Sequence, residues 1–182
     1  MLFSSQRNSM ISEQQLAFIY PESTSKNRLK YLPYFNEYLP DYEIVTPIRL
    51  TAYFAQIGHE SAQLNYAEEI ASGKAYEGRE DLGNIYEGDG VKFKGRGLIQ
   101  ITGRFNYELI SKTYHVDFIS RPEFLASPEW AVKSSMWFWE YNELNTIADS
   151  GNFELLTRKI NGGLNGYKDR LELYERCKQC FV

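Results

Sequence analysis

The chain has 182 residues, 43% of them apolar and 15% aromatic, enough for one compact domain that buries roughly 70% of its unfolded surface. Its net charge is -4 and no stretch concentrates Lys or Arg, which excludes duplex nucleic acid as the expected partner. No window reaches the roughly 18 apolar residues of a membrane span, and Met1 to Asn8 lacks the apolar run of a signal peptide, so the expectation is a soluble monomer made in the cytoplasm.

The pattern is mainly α. A modest amphipathic helix is predicted from Ile11 to Tyr20 after Ser9, and a second from Asn27 to Tyr38, ending before Pro40. Thr46 is placed to cap a third, with Pro47 at its first position; its apolar positions Ile48, Leu50, Ala52, Phe54, Ala55 and Ile57 cover most of the circumference. Only a strip near Thr51 and Gly58 is left polar, so this is a buried central helix. Glu60 lies on one face with Tyr53 and Gln56, seven and four residues back, and therefore points inward or into a cleft.

Between Gly73 and Gly103 lie eight of the thirteen glycines, which predicts loops and a short hairpin. Helix returns after Ser127 and Pro128, where Trp130, Val132, Met136, Trp137, Phe138 and Trp139 make a segment apolar nearly all round. Phe153 to Ile160 closes on Asn161-Gly162-Gly163, and a last helix runs from about Tyr167 to Phe181, with Leu173, Cys177 and Cys180 on one face. The two cysteines are in C-x-x-C spacing, but no second pair accompanies them and His59 and His115 lie far off, so they read as core thiols.

Elimination narrows the chemistry. His59-Glu60-Ser61-Ala62-Gln63 begins like a zinc-protease helix, but the second histidine would fall at 63, where Gln63 stands, and two histidines leave little for a metal. No Gly-x-Ser-x-Gly elbow supports a serine nucleophile, and Gly95-Arg96-Gly97 lacks the third glycine and the Lys of phosphate loops. No cofactor is expected. What remains is a carboxylate pair, Glu60 and, nine positions on, Glu69. Two carboxyl groups facing a cleft are the minimum equipment for glycosidic hydrolysis: one donates a proton to the leaving oxygen while the other activates water. On one straight helix nine residues would hold them about 13 Å apart, beyond the roughly 6.5–9.5 Å of an inverting pair. The chain must therefore turn between Leu64 and Glu69, with Asn65 a terminator.

Read together, four blocks resemble glycoside hydrolase family 19, the chitinase-like group that includes many phage endolysins. Phe54 to Ser61 is similar to its general-acid helix, and Glu68 to Arg79 with Asp81-Leu82-Gly83-Asn84 to the endolysin branch. Phe93 to Tyr107 is similar to the signature around the substrate-binding glutamine, and Ile160 to Gly166 with Asp169-Arg170-Leu171 to the C-terminal motif. The resemblance spans residues 46–181, with 1–45 forming N-terminal helices packed on the same catalytic domain. It implies a lysozyme-like, chitinase-like helical fold with the glycine-rich region beside a substrate cleft.

Carried over by residue, the resemblance implies Glu60 as general acid, Glu69 as general base and Thr102 as the hydroxyl that helps hold the attacking water. Glu68 is the rival base, otherwise a solvated surface acid. Gln100, Asn106 and Asn161 are implied as amides for N-acetyl sugars, and Arg170 as the cleft arginine that pairs with the base. His59 reads first as a buried hydrogen-bonding histidine lying toward Ile48, Ala52 and Ala55, and Tyr53 and Gln56 as supports or substrate contacts. The short acid-to-base interval and the lack of several disulfides point to the endolysin branch and to peptidoglycan, reached after release through a holin or another export route. Chitin is the alternative substrate, and a sugar-binding protein without catalysis the alternative of another class.

Overall fold

Side-chain caps fix where the first three helices begin. Ser12 Oγ accepts from the Gln15 N–H while Gln15 Oε1 accepts from the Ser12 N–H, a reciprocal pair that starts α1 (Glu13–Ile19) at Ser12 rather than Ser9. Thr24 caps α2 (Ser25–Tyr38) and Thr46 caps α3 (Pro47–Glu60), each through its hydroxyl. The computed structural model describes residues 9–182, so the expectation drawn from Met1 to Asn8 lies outside the described residues.

α3 is more deeply buried than its sequence pattern predicts. Every residue from Leu50 to Gly58 is buried, including Thr51 and Gly58 on the expected polar strip. Gly58 is required there, because a Cβ would stand 2.5 Å from Cε1 of the Tyr20 ring.

The glycine-rich region holds no hairpin. It forms 3-10 turns at Lys74–Tyr76 and Glu80–Leu82, the short helix α4 (Asp89–Lys92) and two isolated antiparallel bridges, Glu68 with Arg96 and Arg96 with Ile101. The chain folds back on itself too closely for side chains: at Gly73, where φ is +83°, a Cβ would meet the Gly90 carbonyl oxygen at 2.4 Å. α5 (Arg104–Tyr114) follows, a helix not expected from the sequence, whose Tyr107 and Ile110 enter a second core with Phe93, Phe118, Leu125 and Trp130.

α6 (Pro128–Tyr141) is apolar nearly all round, as its three Trp predict. α7 (Leu144–Asp149), α8 (Phe153–Asn161), which closes on Gly162 at φ +78°, and α9 (Tyr167–Phe181) complete the chain. α3 packs along α9, α2 against α6, and α1 against both α2 and α9, around one main core. Cys177 is fully buried and Cys180 half-buried, both free thiols facing that core. Among the described residues no helix is long and apolar enough to cross a membrane.

Candidate active site

α3 delivers Glu60 as its last residue, beside a guanidinium. Arg170, from the first turn of α9, is only 1% exposed; its Nη2 donates to Glu60 Oε1 at 2.6 Å and its Nη1 to Gln56 Oε1 at 2.6 Å. The Gln56 amide in turn donates to Thr157 Oγ1 at 2.9 Å, which donates to the Phe153 carbonyl. A charge buried this way needs its partners, and α3, α8 and α9 supply them.

The resemblance implied that Arg170 serves the base; it is instead bound to Glu60, because both side chains emerge where α3 and α9 cross. Tyr53 and Gln56 are also corrected as substrate contacts. Both are fully buried, Tyr53 with its hydroxyl 2.6 Å from Ser135 Oγ and its ring edge-on to Phe35, Phe54 and Trp139. His59 is not buried. Its ring is 27% exposed, with Nδ1 2.6 Å from Asp169 Oδ2 and its face against Gly166.

The turn demanded by the spacing of Glu60 and Glu69 comes earlier than expected, directly after Glu60. Ser61 Oγ donates to the Ile57 carbonyl and accepts from the Leu64 N–H, and Ala62, Gln63 and Leu64 are all left-handed, with φ of +47°, +57° and +67°. Three successive non-glycine residues in this region cost about 1–2 kcal/mol each. Anchors hold them: Leu64 is fully buried, Gln63 Oε1 accepts from the Glu22 N–H, and the Asn65 amide donates to the Glu22 and Ala62 carbonyls.

Glu69 follows on a loop fastened to the segment 95–97. Its backbone N–H donates to the Gly95 carbonyl at 2.8 Å, and the Gly97 N–H donates to the Ala67 carbonyl. Its carboxylate accepts at both oxygens, from the Tyr76 hydroxyl on Oε1 (2.9 Å) and the Gly95 N–H on Oε2 (3.1 Å). Glu68 differs in kind. It is a surface acid with its side chain 42% exposed, but it is paired, its carboxylate 2.9 Å from Lys94 Nζ and 3.7 Å from Arg96 Nη2. Arg96 also donates to the Tyr107 hydroxyl, whose pKa burial pushes up to about 12.

Beside Glu69, the Gln100 side chain covers Gly95, where a Cβ would stand 2.5 Å from Gln100 Oε1. Gln100, Thr102 and Asn106 line one recess of about 140 Å³, closed by Trp137 and Tyr141 of α6 and by Asn142 directly after it. Tyr141, 60% exposed, is stacked on Trp137 with ring centroids 5.3 Å apart. Asn161 is elsewhere, at the end of α8, where its Oδ1 accepts from the N–H of Asn165, whose carbonyl accepts from Arg170 Nε. α6 underlies both halves of the site: it holds Tyr53 of α3 through Ser135, and Ala131 accepts from the Leu98 N–H.

Three contributors escaped the sequence reading: Tyr76, Lys94 and the α6 aromatics. Tyr76 lay inside a matched block without a role, and Trp137 was read as core.

Residues 47–150 match the family model described as Chitinase class I, glycoside hydrolase 19. A Haemophilus influenzae glycosyl hydrolase family 19 domain-containing protein is 41% identical over 107 residues, 58% of this chain and 51% of its own length. An Arabidopsis thaliana endochitinase is 39% identical over 116 residues, 63% of this chain and 39% of its own. The chain thus spans about half, or less, of these relatives. Among solved structures, a bacterial family 19 chitinase superposes with a TM-score of 0.76 at 22% identity over 94% of this chain and 95% of its own. Chitinase C from Streptomyces griseus superposes at 0.71 and 19% identity over 96% of this chain and 77% of its own. These likenesses show the fold, a lysozyme-like helical one.

Proposed function

The chain belongs to glycoside hydrolase family 19, and from that premise we propose that it hydrolyses β-1,4 glycosidic bonds of bacterial peptidoglycan, in the manner of an endolysin, with inversion at the sugar carbon. Glu60 passes its proton to the glycosidic oxygen as the C–O bond breaks, and water attacks the anomeric carbon from the opposite face while Glu69 takes its proton. Arg170 occupies Glu60 Oε1, which leaves Oε2 to carry the proton.

The observation that carries the reading is the contrast between the two carboxylates across a left-handed turn. One stands at the end of a buried helix against a buried guanidinium; the other is gripped at both oxygens by neutral donors and keeps lone pairs for water. Thr102, in the recess beside the loop that holds Glu69, suits the part of positioning that water, and the amides of Gln100 and Asn106 suit the acetamido and hydroxyl groups of an uncharged sugar. The nine-residue acid-to-base interval supports the endolysin reading over a chitin-specific one.

A second reading, chitin as substrate, is favoured by the relatives, several of which are named endochitinases. The test is to incubate the protein with purified cell walls and with chitin oligomers and to identify the new reducing ends and their anomeric configuration by mass and NMR analysis. Release from walls with an inverted anomer is expected. Release from chitin alone transfers the assignment to the second reading, and release from neither leaves a sugar-binding protein.

A further inference from the structure

We propose that Tyr76 is the positioning residue of the general base: its hydroxyl, donated to Glu69 Oε1, fixes the plane of the carboxylate that receives the proton of the attacking water. This rests on the reading of Glu69 as base and adds a residue to which no role attaches.

Glu69 sits on irregular backbone, where a glutamate side chain left to itself samples several rotamers and gives up that freedom on being fixed. Two donors approach its two oxygens from separate segments, the Gly95 N–H on one and the Tyr76 hydroxyl on the other. The first comes with the backbone pairing to residues 95–97. The second is a side chain, and the glycine-rich region is built to deliver it.

Gly73, left-handed and pressed on Gly90, opens the 3-10 turn that carries Tyr76. Asn84, fully buried, donates from its amide to the Tyr76 carbonyl at 2.9 Å and accepts the Arg104 N–H at 2.8 Å, which ties the turn to the start of α5. On the other side, the Glu77 carboxylate accepts the N–H groups of Gly88 and Gly90 at 2.7 and 2.8 Å. Tyr76 is thus braced on both flanks, a degree of fixing that a half-buried loop tyrosine does not otherwise need. Desolvation of the phenol, and then its bond to Glu69, raise its pKa above the ordinary value, so it remains a donor wherever the protein works.

The experiment is Tyr76→Phe in the full chain, assayed on soluble peptidoglycan fragments and N-acetylglucosamine oligomers alongside Glu69→Gln, with melting curves for both. The change removes one oxygen and no packing volume. A kcat lowered about tenfold with KM within roughly twofold is expected, since a bond to a charged acceptor is at stake. Tyr76→Phe is further expected to add no loss on top of Glu69→Gln, because it acts through that carboxylate. If the tyrosine only staples the loop, the melting temperature falls and kcat stays, and the proposal is overturned. Equal losses in the wild-type and Glu69→Gln backgrounds overturn it as well. Should Glu69→Gln itself keep full turnover, the base assignment has failed and the proposal falls with it; an active Tyr76→Phe beside an inactive Glu69→Gln removes the positioning role alone.

Discussion

Arg170 and Glu60 form an ion pair at 2.6 Å in which the cation is sealed from water and the anion keeps 21% of its side chain exposed. The pair therefore does two jobs, closing the α3–α9 crossing and orienting the carboxyl group. Glu60→Gln should stop hydrolysis, by 10²-fold or more for a general acid, and it should also destabilise the fold. The glutamine oxygen can still accept from Arg170, but the buried guanidinium loses its counter-charge and keeps only neutral acceptors, a loss of about 2 kcal/mol once solvent screening of Glu60 is allowed for. A melting temperature about 4–8 °C lower is expected, and an unchanged melting curve would show that the pair contributes nothing to stability.

The two adjacent glutamates separate by their partners. Glu69→Gln should lower turnover by 10²-fold or more while leaving a measurable residue and retaining substrate binding, whereas Glu68→Gln releases Lys94 and Arg96 and should lower kcat by less than about threefold. Paired steady-state assays decide it, and the reverse ranking would make Glu68 the base.

Much of the frame was legible in the sequence because caps and periodicity are local. Thr46-Pro47 placed the start of α3, Asn161-Gly162-Gly163 placed the end of α8, and the three Trp of α6 announced a buried helix. The site was less legible because its contacts are remote in sequence. Nothing near Arg170 says that it meets Glu60 rather than Glu69; that follows from how α3 crosses α9. The same holds for Tyr76, whose partner is set by glycines that let loops approach. α5 was missed because Arg104 to Tyr114 buries only Tyr107 and Ile110, too thin a stripe for periodicity to register. The hairpin failed for the opposite reason: glycine density marks close backbone approach as readily as a turn between strands.

Acid should loosen the glycine-rich lobe first. Asp89 is 2% exposed and accepts Arg104 Nε and Nη2 at 2.8 and 2.7 Å, and these bonds hold its carboxyl below the usual carboxylate range. Folding thus favours the ionised form. Its contribution is complete above the ordinary value near 3.9 and is lost as pH falls below that, through the depressed folded value. Urea midpoints of the wild type should decline across this acid range. The decline should be shallower in Asp89→Asn, and equal slopes in the two proteins would sink the argument.

The left-handed turn offers a stabilising substitution. Ala62 is exposed at φ +47°, so Ala62→Gly relieves a local cost without opening a cavity. After the extra chain entropy of glycine is subtracted, about 0.5–1 kcal/mol should remain, a rise of roughly 2–3 °C in melting temperature. Leu64→Gly, at a similar φ, should instead destabilise the protein, since that side chain is fully buried. Opposite signs at two neighbouring left-handed positions are the result to look for by calorimetry.

Gly166 joins the C-terminal loop to the end of α3, next to Glu60. A Cβ there would stand 2.0 Å from His59 Cε1 and 2.4 Å from Nε2, at a φ of +67° that already disfavours alanine. Gly166→Ala must push the imidazole off its site and strain the bond between His59 Nδ1 and Asp169. The loop it distorts also carries the Asn165 carbonyl that holds Arg170 Nε, so the disturbance reaches Glu60. A loss of about 2–4 kcal/mol is expected, the left-handed penalty plus the steric one, together with a fall in kcat. Removing the ring separates the two causes. His59→Ala in the Gly166→Ala background makes room for the new Cβ and should recover the steric part of the stability while the backbone part persists. If the double variant is no more stable than Gly166→Ala alone, the contact between ring and glycine is not what makes the glycine necessary.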